Sequence, residues 1–129
     1  MPAKKVLVVD DHDDSREICR ELLGFYGYDV ATAEDGAEAM QLALTNAPDL
    51  VLLDFLLPHG DGIQTLRAMR ADPSLLNTKI VLYTAAITER DSLMAVEGVD
   101  GILFKPVETA QLLTAVRSLI GNAEPTPLA

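Results

Sequence analysis

Cysteine, aromatic residues and basic residues are all scarce in this sequence. Cys19 is the single cysteine, so an internal disulfide is excluded, and no zinc-ligand spacing is present. Tryptophan is absent and aromatic residues make up 5% of the chain, so the core must be aliphatic. Lysine and arginine total 10 against 20 acidic residues, and the net charge of -10 argues against nucleic acid or an anionic membrane as a ligand.

Long hydrophobic runs are missing as well. No apolar run approaches the roughly 20 residues that span a bilayer. The first run, residues 6–9, is too short for the apolar region of a signal peptide. We therefore expect a cytoplasmic protein that does not insert into membranes. The 129 residues fit one domain, and a hydrophobic content of 49% is enough for a core.

Five short apolar runs predict five strands: VLVV (6–9), YDVAT (28–32), LVLL (50–53), IVLY (80–83) and GILF (101–104). Continuous rather than alternating apolar runs are typical of parallel strands buried on both faces. Helical periodicity lies between the strands and after the last one, and is weakest over residues 88–97. The pattern predicts an α/β fold, a doubly wound five-stranded parallel sheet flanked by five helices and similar to flavodoxin, with strand order 2-1-3-4-5.

Four apolar stripes define the stronger helices. We expect the following residues to face the core: Ile18, Cys19, Leu22, Leu23 and Tyr26; Ala37, Met40 and Leu44; Ile63, Leu66 and Met69; Leu112, Val116, Leu119 and Ile120.

Polar residues follow the predicted strands where each one ends. They are Asp10 and Asp11 after the first strand, Asp54 after the third, Thr84 after the fourth and Lys105 after the fifth. Parallel strands bring their carboxyl ends to one edge, where open α/β sheets place their sites. Three carboxylates in one crevice need a cation, and ligands that are all oxygen suit Mg²⁺.

This combination of groups is also suited to phosphoryl transfer. A carboxylate beside a metal can act as a nucleophile and form an acyl phosphate. Lys105 and Thr84 could then bind the oxygens of the transferring group and spread its charge.

Other polar residues nearby have simpler interpretations. We expect Asp13 or Asp14 to cap the first helix. We expect Asp61 and Gly62 to form a turn and a helix start. His12 and His59 flank the acidic edge; we interpret both as solvated loop residues, with metal ligation or phosphate relay as the alternative.

Four segments together resemble the receiver domain of two-component response regulators. They are VLVVDD at the first strand, LVLLDFLLPHGDG around Asp54, YTA around Thr84 and GILFKP around Lys105. The resemblance covers residues 4 to about 121, and single-domain chemotaxis regulators are the most similar in layout. We therefore expect a receiver domain over residues 1–121, followed by a disordered tail or the start of a linker at 122–129.

The resemblance implies a role for each site residue. Asp54 would be the phosphoacceptor, Asp11 a direct Mg²⁺ ligand and Asp10 a ligand acting mainly through water. The backbone carbonyl of Leu56 would complete the protein ligands. Thr84 and Lys105 would bind the phosphoryl oxygens, and the peptide bond between Lys105 and Pro106 would be cis.

The resemblance also implies partners. The phosphoryl donor would be a phosphohistidine on a histidine kinase or a phosphotransfer protein, and the output would pass to a downstream protein rather than to DNA. The chain would assist its own phosphorylation and dephosphorylation without being an enzyme. In this family the fourth helix and fifth strand often contact partners, so the cluster Leu93, Met94 and Val96 is either packing or part of such a surface.

Two positions depart from the family pattern. Three residues before the lysine the family usually has Tyr or Phe, which swings inward on phosphorylation, and this chain has Ile102. Phe104 lies nearby, but we expect it to point to the other face of the strand. Val107 replaces a common Phe after the Lys-Pro pair.

Three alternatives remain, two with other functions and one within signalling. A flavodoxin-like cofactor carrier is disfavoured because the first loop, DDHDD, would repel a phosphate. A Mg²⁺-dependent aspartyl phosphohydrolase usually has a second Asp two places after the nucleophile, where this chain has Leu56. A receiver module excised from a hybrid kinase or a multidomain regulator is compatible with the sequence.

Overall fold

Five strands form one parallel sheet in the order β2-β1-β3-β4-β5, as predicted. The computed structural model describes residues 4–57, 62–85 and 97–121, and these ranges contain all five strands. The strands are β1 (Lys5–Val9), β2 (Asp29–Ala33), β3 (Leu50–Leu53), β4 (Lys79–Thr84) and β5 (Gly101–Phe104). The predicted runs for β3 and β5 match the observed strands residue for residue.

Four α-helices lie within the described residues: α1 (Asp13–Phe25), α2 (Gly36–Asn46), α3 (Gly62–Ala71) and α4 (Thr109–Ile120), with a short 3₁₀ helix at Pro73–Leu75. The fifth helix, expected over residues 88–97, falls almost entirely on residues 86–96, outside the described part. The expected tail at 122–129 also lies outside it. No helix in the described ranges is both long and apolar enough to span a bilayer.

The sheet separates two hydrophobic layers because its central strands are buried on both faces. One layer joins alternate residues of the strands, such as Val9 and Leu53, to α2 and α3. The other joins the intervening residues, such as Val8 and Leu52, to α1 and α4. This continuous burial explains why β1 and β3 are uninterrupted apolar runs.

Four residues that were expected to face the core are exposed instead: Ile18, Tyr26, Ala37 and Leu44. Ile18 is 64% exposed although Cys19 beside it is fully buried, and Leu44 is 50% exposed although Ala43 is fully buried. Successive helical residues point about 100° apart, so only a narrow stripe of each helix meets the sheet. In α2 that stripe consists of small residues, Ala39 and Ala43, which allow the helix to approach closely.

The start of α1 also differs from the prediction. His12, rather than Asp13 or Asp14, occupies the position before the first helical residue, and its side chain makes no capping hydrogen bond. Both aspartates lie in the first turn, where the positive end of the helix dipole favours acidic side chains.

Candidate active site

The carboxyl edge of the sheet brings together the residues that the sequence places after its strands. Asp10 follows β1, Asp54 follows β3, Thr84 ends β4 and Lys105 follows β5. Asp10, Asp54 and Thr84 are buried. The predicted convergence at one edge is therefore confirmed, although the catalytic and ligand roles of these residues remain predictions.

Backbone hydrogen bonds fix three of these residues, because each continues the sheet ladder one step beyond its strand. The bonds run from Asp10 N to Ala33 O at 3.1 Å, from Asp54 N to Val9 O at 2.9 Å and from Lys105 N to Thr84 O at 2.8 Å. The predicted cis peptide bond after Lys105 is present. The side chains are thus presented by rigid elements rather than by free loops.

The Lys105 ammonium joins the two buried aspartates. It donates to Asp10 Oδ2 at 2.7 Å and to Asp54 Oδ2 at 3.1 Å. It also lies 4.6 Å from the centre of the Tyr83 ring, within the range of a cation–π contact. One positive charge therefore offsets part of the repulsion between neighbouring carboxylates.

The pKa values of the two aspartates move in opposite directions. Burial opposes ionisation of Asp10, but the Lys105 hydrogen bond, the His12 N–H and the lysine charge together lower the pKa of Asp10. Burial dominates at Asp54 and raises its pKa, despite the Leu56 N–H and Lys105. Burial likewise opposes the charge on Lys105, yet its contacts with both aspartates raise the pKa of the ammonium.

Leu56 supports the Asp54 carboxylate through its backbone. Its N–H donates to Asp54 Oδ1 at 2.9 Å, which places the Leu56 peptide beside the carboxylate. The carbonyl of Leu56 as a metal ligand remains a prediction.

The ligand atoms that could hold a cation form a compact group. One atom from each of Asp10, Asp11, Asp54 and His12 lies within 4.8 Å of the others. Carboxylates in this arrangement fit a hard divalent cation such as Mg²⁺. His12 lies beside these carboxylates, with its Nδ1 3.1 Å from Asp10 Oδ1 and 3.2 Å from Asp11 Oδ1, and its side chain is 68% exposed, as expected for a solvated residue. The all-oxygen ligand set remains a prediction. His59 and Asp61 lie outside the described residues.

Gly62 contributes to the site in a way that the sequence does not reveal. It begins α3, as expected, and its N–H donates to Phe55 O at 2.7 Å. A Cβ atom at this position would lie 2.4 Å from the backbone oxygen of Asp54 and 2.7 Å from Phe55 Cα. Only glycine lets the helix start this close to the segment that carries Asp54.

Arg16 is a second supporting residue that sequence reasoning missed. Its Nη1 donates to the backbone oxygen of Asp10 at 2.8 Å, and its Nη2 contacts Asp13 and Glu34. The guanidinium thus ties the start of α1 to the end of β1. Asp13 and Arg16 are three residues apart in α1, and this spacing predicts only an ion pair within the helix.

The prediction that Phe104 points to the face of β5 opposite Ile102 is wrong. Ile102 and Phe104 both pack on the layer formed with α2 and α3, whereas Leu103 packs on the opposite layer. Residues two apart on a strand share a face, so an aromatic ring lies on the same side of β5 as Ile102. Phe104 is paired in register with Thr84.

Comparison with known sequences agrees with this geometry. A family model described as the response regulator receiver domain matches residues 6–117. Response regulator MprA of Mycobacterium sp. (strain KMS) is 36% identical over 125 residues, which cover 97% of this chain and 54% of that protein. The alkaline phosphatase synthesis transcriptional regulatory protein PhoP of Bacillus subtilis is 35% identical, covering 94% of this chain and 50% of that protein. The chain spans about half the length of these curated relatives.

Solved structures give the same result. The chemotaxis protein CheY4 of Vibrio cholerae is 29% identical with a TM-score of 0.81, covering 91% of this chain and 98% of that one. The receiver domain of sensor histidine kinase PA1611 from Pseudomonas aeruginosa is 29% identical with a TM-score of 0.84, covering 93% and 99%. That structure has a magnesium ion coordinated in its active site cleft.

Proposed function

This chain belongs to the response regulator receiver domains of two-component signalling, and on that basis we propose that Asp54 is its phosphoacceptor. The environment of the Asp54 carboxylate is the observation that carries the proposal. The residue is 3% exposed, accepts hydrogen bonds from Lys105 and the Leu56 N–H, and lies in the same compact group as Asp10 and Asp11. A carboxylate held in one orientation beside cationic groups is suited to nucleophilic attack on phosphorus.

Phosphoryl transfer from a phosphohistidine would exchange one bond for another. An Asp54 oxygen forms a bond to phosphorus while the bond between phosphorus and the donor imidazole nitrogen breaks. The imidazole leaves with the bonding electron pair and takes up a proton. The product is an acyl phosphate on Asp54, which carries more negative charge than the free carboxylate.

Lys105 and Thr84 are the residues that would bind the added group. The Lys105 ammonium already contacts an Asp54 oxygen, so it lies near the position that the phosphoryl oxygens would take. Thr84 ends the neighbouring strand and is fully buried at the same edge. Engagement of both residues by phosphate would shift a two-state equilibrium around β4 and β5.

Asp10, Asp11 and Asp54, with the Leu56 carbonyl, would hold Mg²⁺ in this chain. The ion, when bound, supplies positive charge that offsets the charge of the phosphoryl group and of the carboxylates. The proposal is supported by the compact carboxylate group of this chain and by the magnesium-bound relative.

The partners follow from the chemistry. The donor would be a histidine kinase or a phosphotransfer protein, and the recipient of the signal a protein, since the net charge of -10 disfavours nucleic acid. The alternative is that this receiver is a module of a longer regulator or hybrid kinase; the curated relatives are about twice as long as the matched region. A cytoplasmic location remains a prediction from the sequence.

Acetyl phosphate with Mg²⁺ tests the proposal directly. An Asp54 oxygen would take the phosphoryl group while the bond from phosphorus to the acetate oxygen breaks. We expect a mass increase of one phosphoryl group in the wild type, abolished in Asp54→Ala. Asp14→Asn is the matched control, because Asp14 is an exposed aspartate in the first turn of α1 and should not affect labelling.

Two results would overturn this function. Labelling that persists in Asp54→Ala would place the acceptor elsewhere. Multiple turnover of a phosphate monoester, with release of inorganic phosphate, would instead favour an aspartyl phosphohydrolase.

A further inference from the structure

His12 is placed against the carboxylates that would hold the cation. Its backbone N–H donates to Asp10 Oδ1 at 2.9 Å, which fixes the residue at the start of α1. Its ring Nδ1 lies 3.1 Å from the same Asp10 oxygen and 3.2 Å from Asp11 Oδ1. The side chain is 68% exposed, so solvent and ions can reach the ring from outside.

The distances from His12 Nδ1 to the Asp10 and Asp11 oxygens match those between neighbouring ligands of one metal ion. For metal–ligand bonds of about 2.1 Å, adjacent ligands of an octahedral ion lie about 3.0 Å apart and opposite ligands about 4.2 Å apart. Both distances from Nδ1 are close to the adjacent value. The four candidate ligand atoms lie within 4.8 Å of one another, so small side-chain movements would bring them onto one centre.

Lys105 does not contact Asp10 Oδ1, the oxygen that would bind a metal ion together with His12. The ammonium contacts the Oδ2 atoms of Asp10 and Asp54, whereas Asp10 Oδ1 faces His12. The ammonium therefore does not compete with a metal ion for Asp10 Oδ1, the oxygen next to the imidazole.

We propose that His12 supplies a nitrogen ligand to the cation held by Asp10, Asp11 and Asp54, so that the site accepts first-row transition ions in addition to Mg²⁺. The inference rests on the proposed function of the same site. Imidazole suits ions such as Ni²⁺ and Zn²⁺, whereas Mg²⁺ takes oxygen ligands. His12 then determines which metals can occupy the phosphorylation site.

Calorimetric titration with Ni²⁺ and Mg²⁺, on protein freed of any affinity tag, tests the selectivity. We expect His12→Gln to lower the Ni²⁺ affinity by about tenfold or more and to leave the Mg²⁺ affinity almost unchanged. The control is His59→Gln, which removes the other histidine of the chain and should preserve the Ni²⁺ affinity. Since His12 is exposed and its side chain makes no capping bond, the variant should fold, which circular dichroism would check.

Pulsed electron paramagnetic resonance provides a second measurement that does not depend on affinity. Protein loaded with Mn²⁺ should show coupling to a directly bound nitrogen in the wild type and in His59→Gln, and none in His12→Gln. Unchanged Ni²⁺ affinity or persistent nitrogen coupling in His12→Gln would mean that the ring only forms hydrogen bonds with the aspartates. In that case Mg²⁺ binding and phosphorylation would still support the proposed function, whereas failure of the wild type to bind Mg²⁺ would count against the function itself.

Discussion

At the scale of single residues, the site depends on how Lys105 divides its hydrogen bonds between two aspartates. The ammonium is closer to Asp10, at 2.7 Å, than to Asp54, at 3.1 Å. Accordingly the pKa of Asp10 is lowered, while burial raises the pKa of Asp54. Two adjacent carboxylates thus differ in basicity because of their surroundings, and the proposed nucleophile is the more basic of the two.

This difference predicts opposite effects of neutralising the two aspartates. Since the folded pKa of Asp54 is raised, its ionised form destabilises the fold at higher pH. Without Mg²⁺, we expect Asp54→Asn to increase the free energy of unfolding at pH 7 by on the order of 1 kcal/mol. The gain should disappear as the pH falls below the ordinary aspartate value of 3.8. Urea unfolding across this pH range measures the effect.

Asp10→Asn is the matched comparison. The lowered pKa of Asp10 means that its charge stabilises the fold above pH 3.8 and that this contribution is lost as the pH falls through the folded pKa. We expect this variant to be less stable than the wild type at pH 7. A gain in both variants would contradict the unequal role of Lys105.

Tyr83 predicts a separate effect on Lys105. Its ring lies 4.6 Å from the ammonium, and its hydroxyl contacts Cys19 Sγ at 3.7 Å. We expect Tyr83→Leu to slow phosphorylation by acetyl phosphate by roughly two- to fivefold, which corresponds to a cation–π contact of about 0.5–1 kcal/mol. Tyr83→Phe keeps the ring and should retain the wild-type rate. Equal slowing in both variants would assign the effect to the hydroxyl instead.

At the scale of helices and strands, the sequence predicts what is locally periodic. The buried run LVLL and the half-buried run GILF form β3 and β5 with the predicted boundaries. Ile18 could not be placed correctly, because the width of a helix's buried stripe depends on what packs against it. Gly62 could not be recognised either, since its contact with Asp54 joins two segments through the tertiary fold.

Gly62 lies so close to the Asp54 backbone that adding one methyl group there should reduce the stability of the fold. Gly62→Ala would force the start of α3 away from the Asp54 backbone, and we expect a loss of stability of roughly 1–3 kcal/mol together with weaker Mg²⁺ binding. Gly24→Ala is the control, because nothing lies within 4 Å of a Cβ atom at that helical position. The control should gain up to about 1 kcal/mol. Thermal unfolding and calorimetric Mg²⁺ titration distinguish the two variants.

At the scale of the whole molecule, the carboxylates of the site add to the negative charge of the chain as a whole. The net charge of -10 means that removing almost any carboxylate relieves some self-repulsion. A stabilised variant is therefore not by itself evidence of a metal site. The distinguishing property is how the stability of a variant responds to Mg²⁺.

The variant Asp11→Asn distinguishes relief of general charge repulsion from loss of a Mg²⁺ ligand. Without Mg²⁺ we expect this variant to be more stable than the wild type, because a charge is removed beside Asp10 and Asp54. At a Mg²⁺ concentration 100 times the dissociation constant, the wild type should gain about 2.7 kcal/mol, whereas Asp11→Asn should gain much less, so that the order of stability reverses. Asp14→Asn removes the same charge from an exposed position and should keep the full gain, as urea unfolding with and without Mg²⁺ would show. If Asp11→Asn and Asp14→Asn respond to Mg²⁺ equally, the cation acts on the net charge and not at the sheet edge.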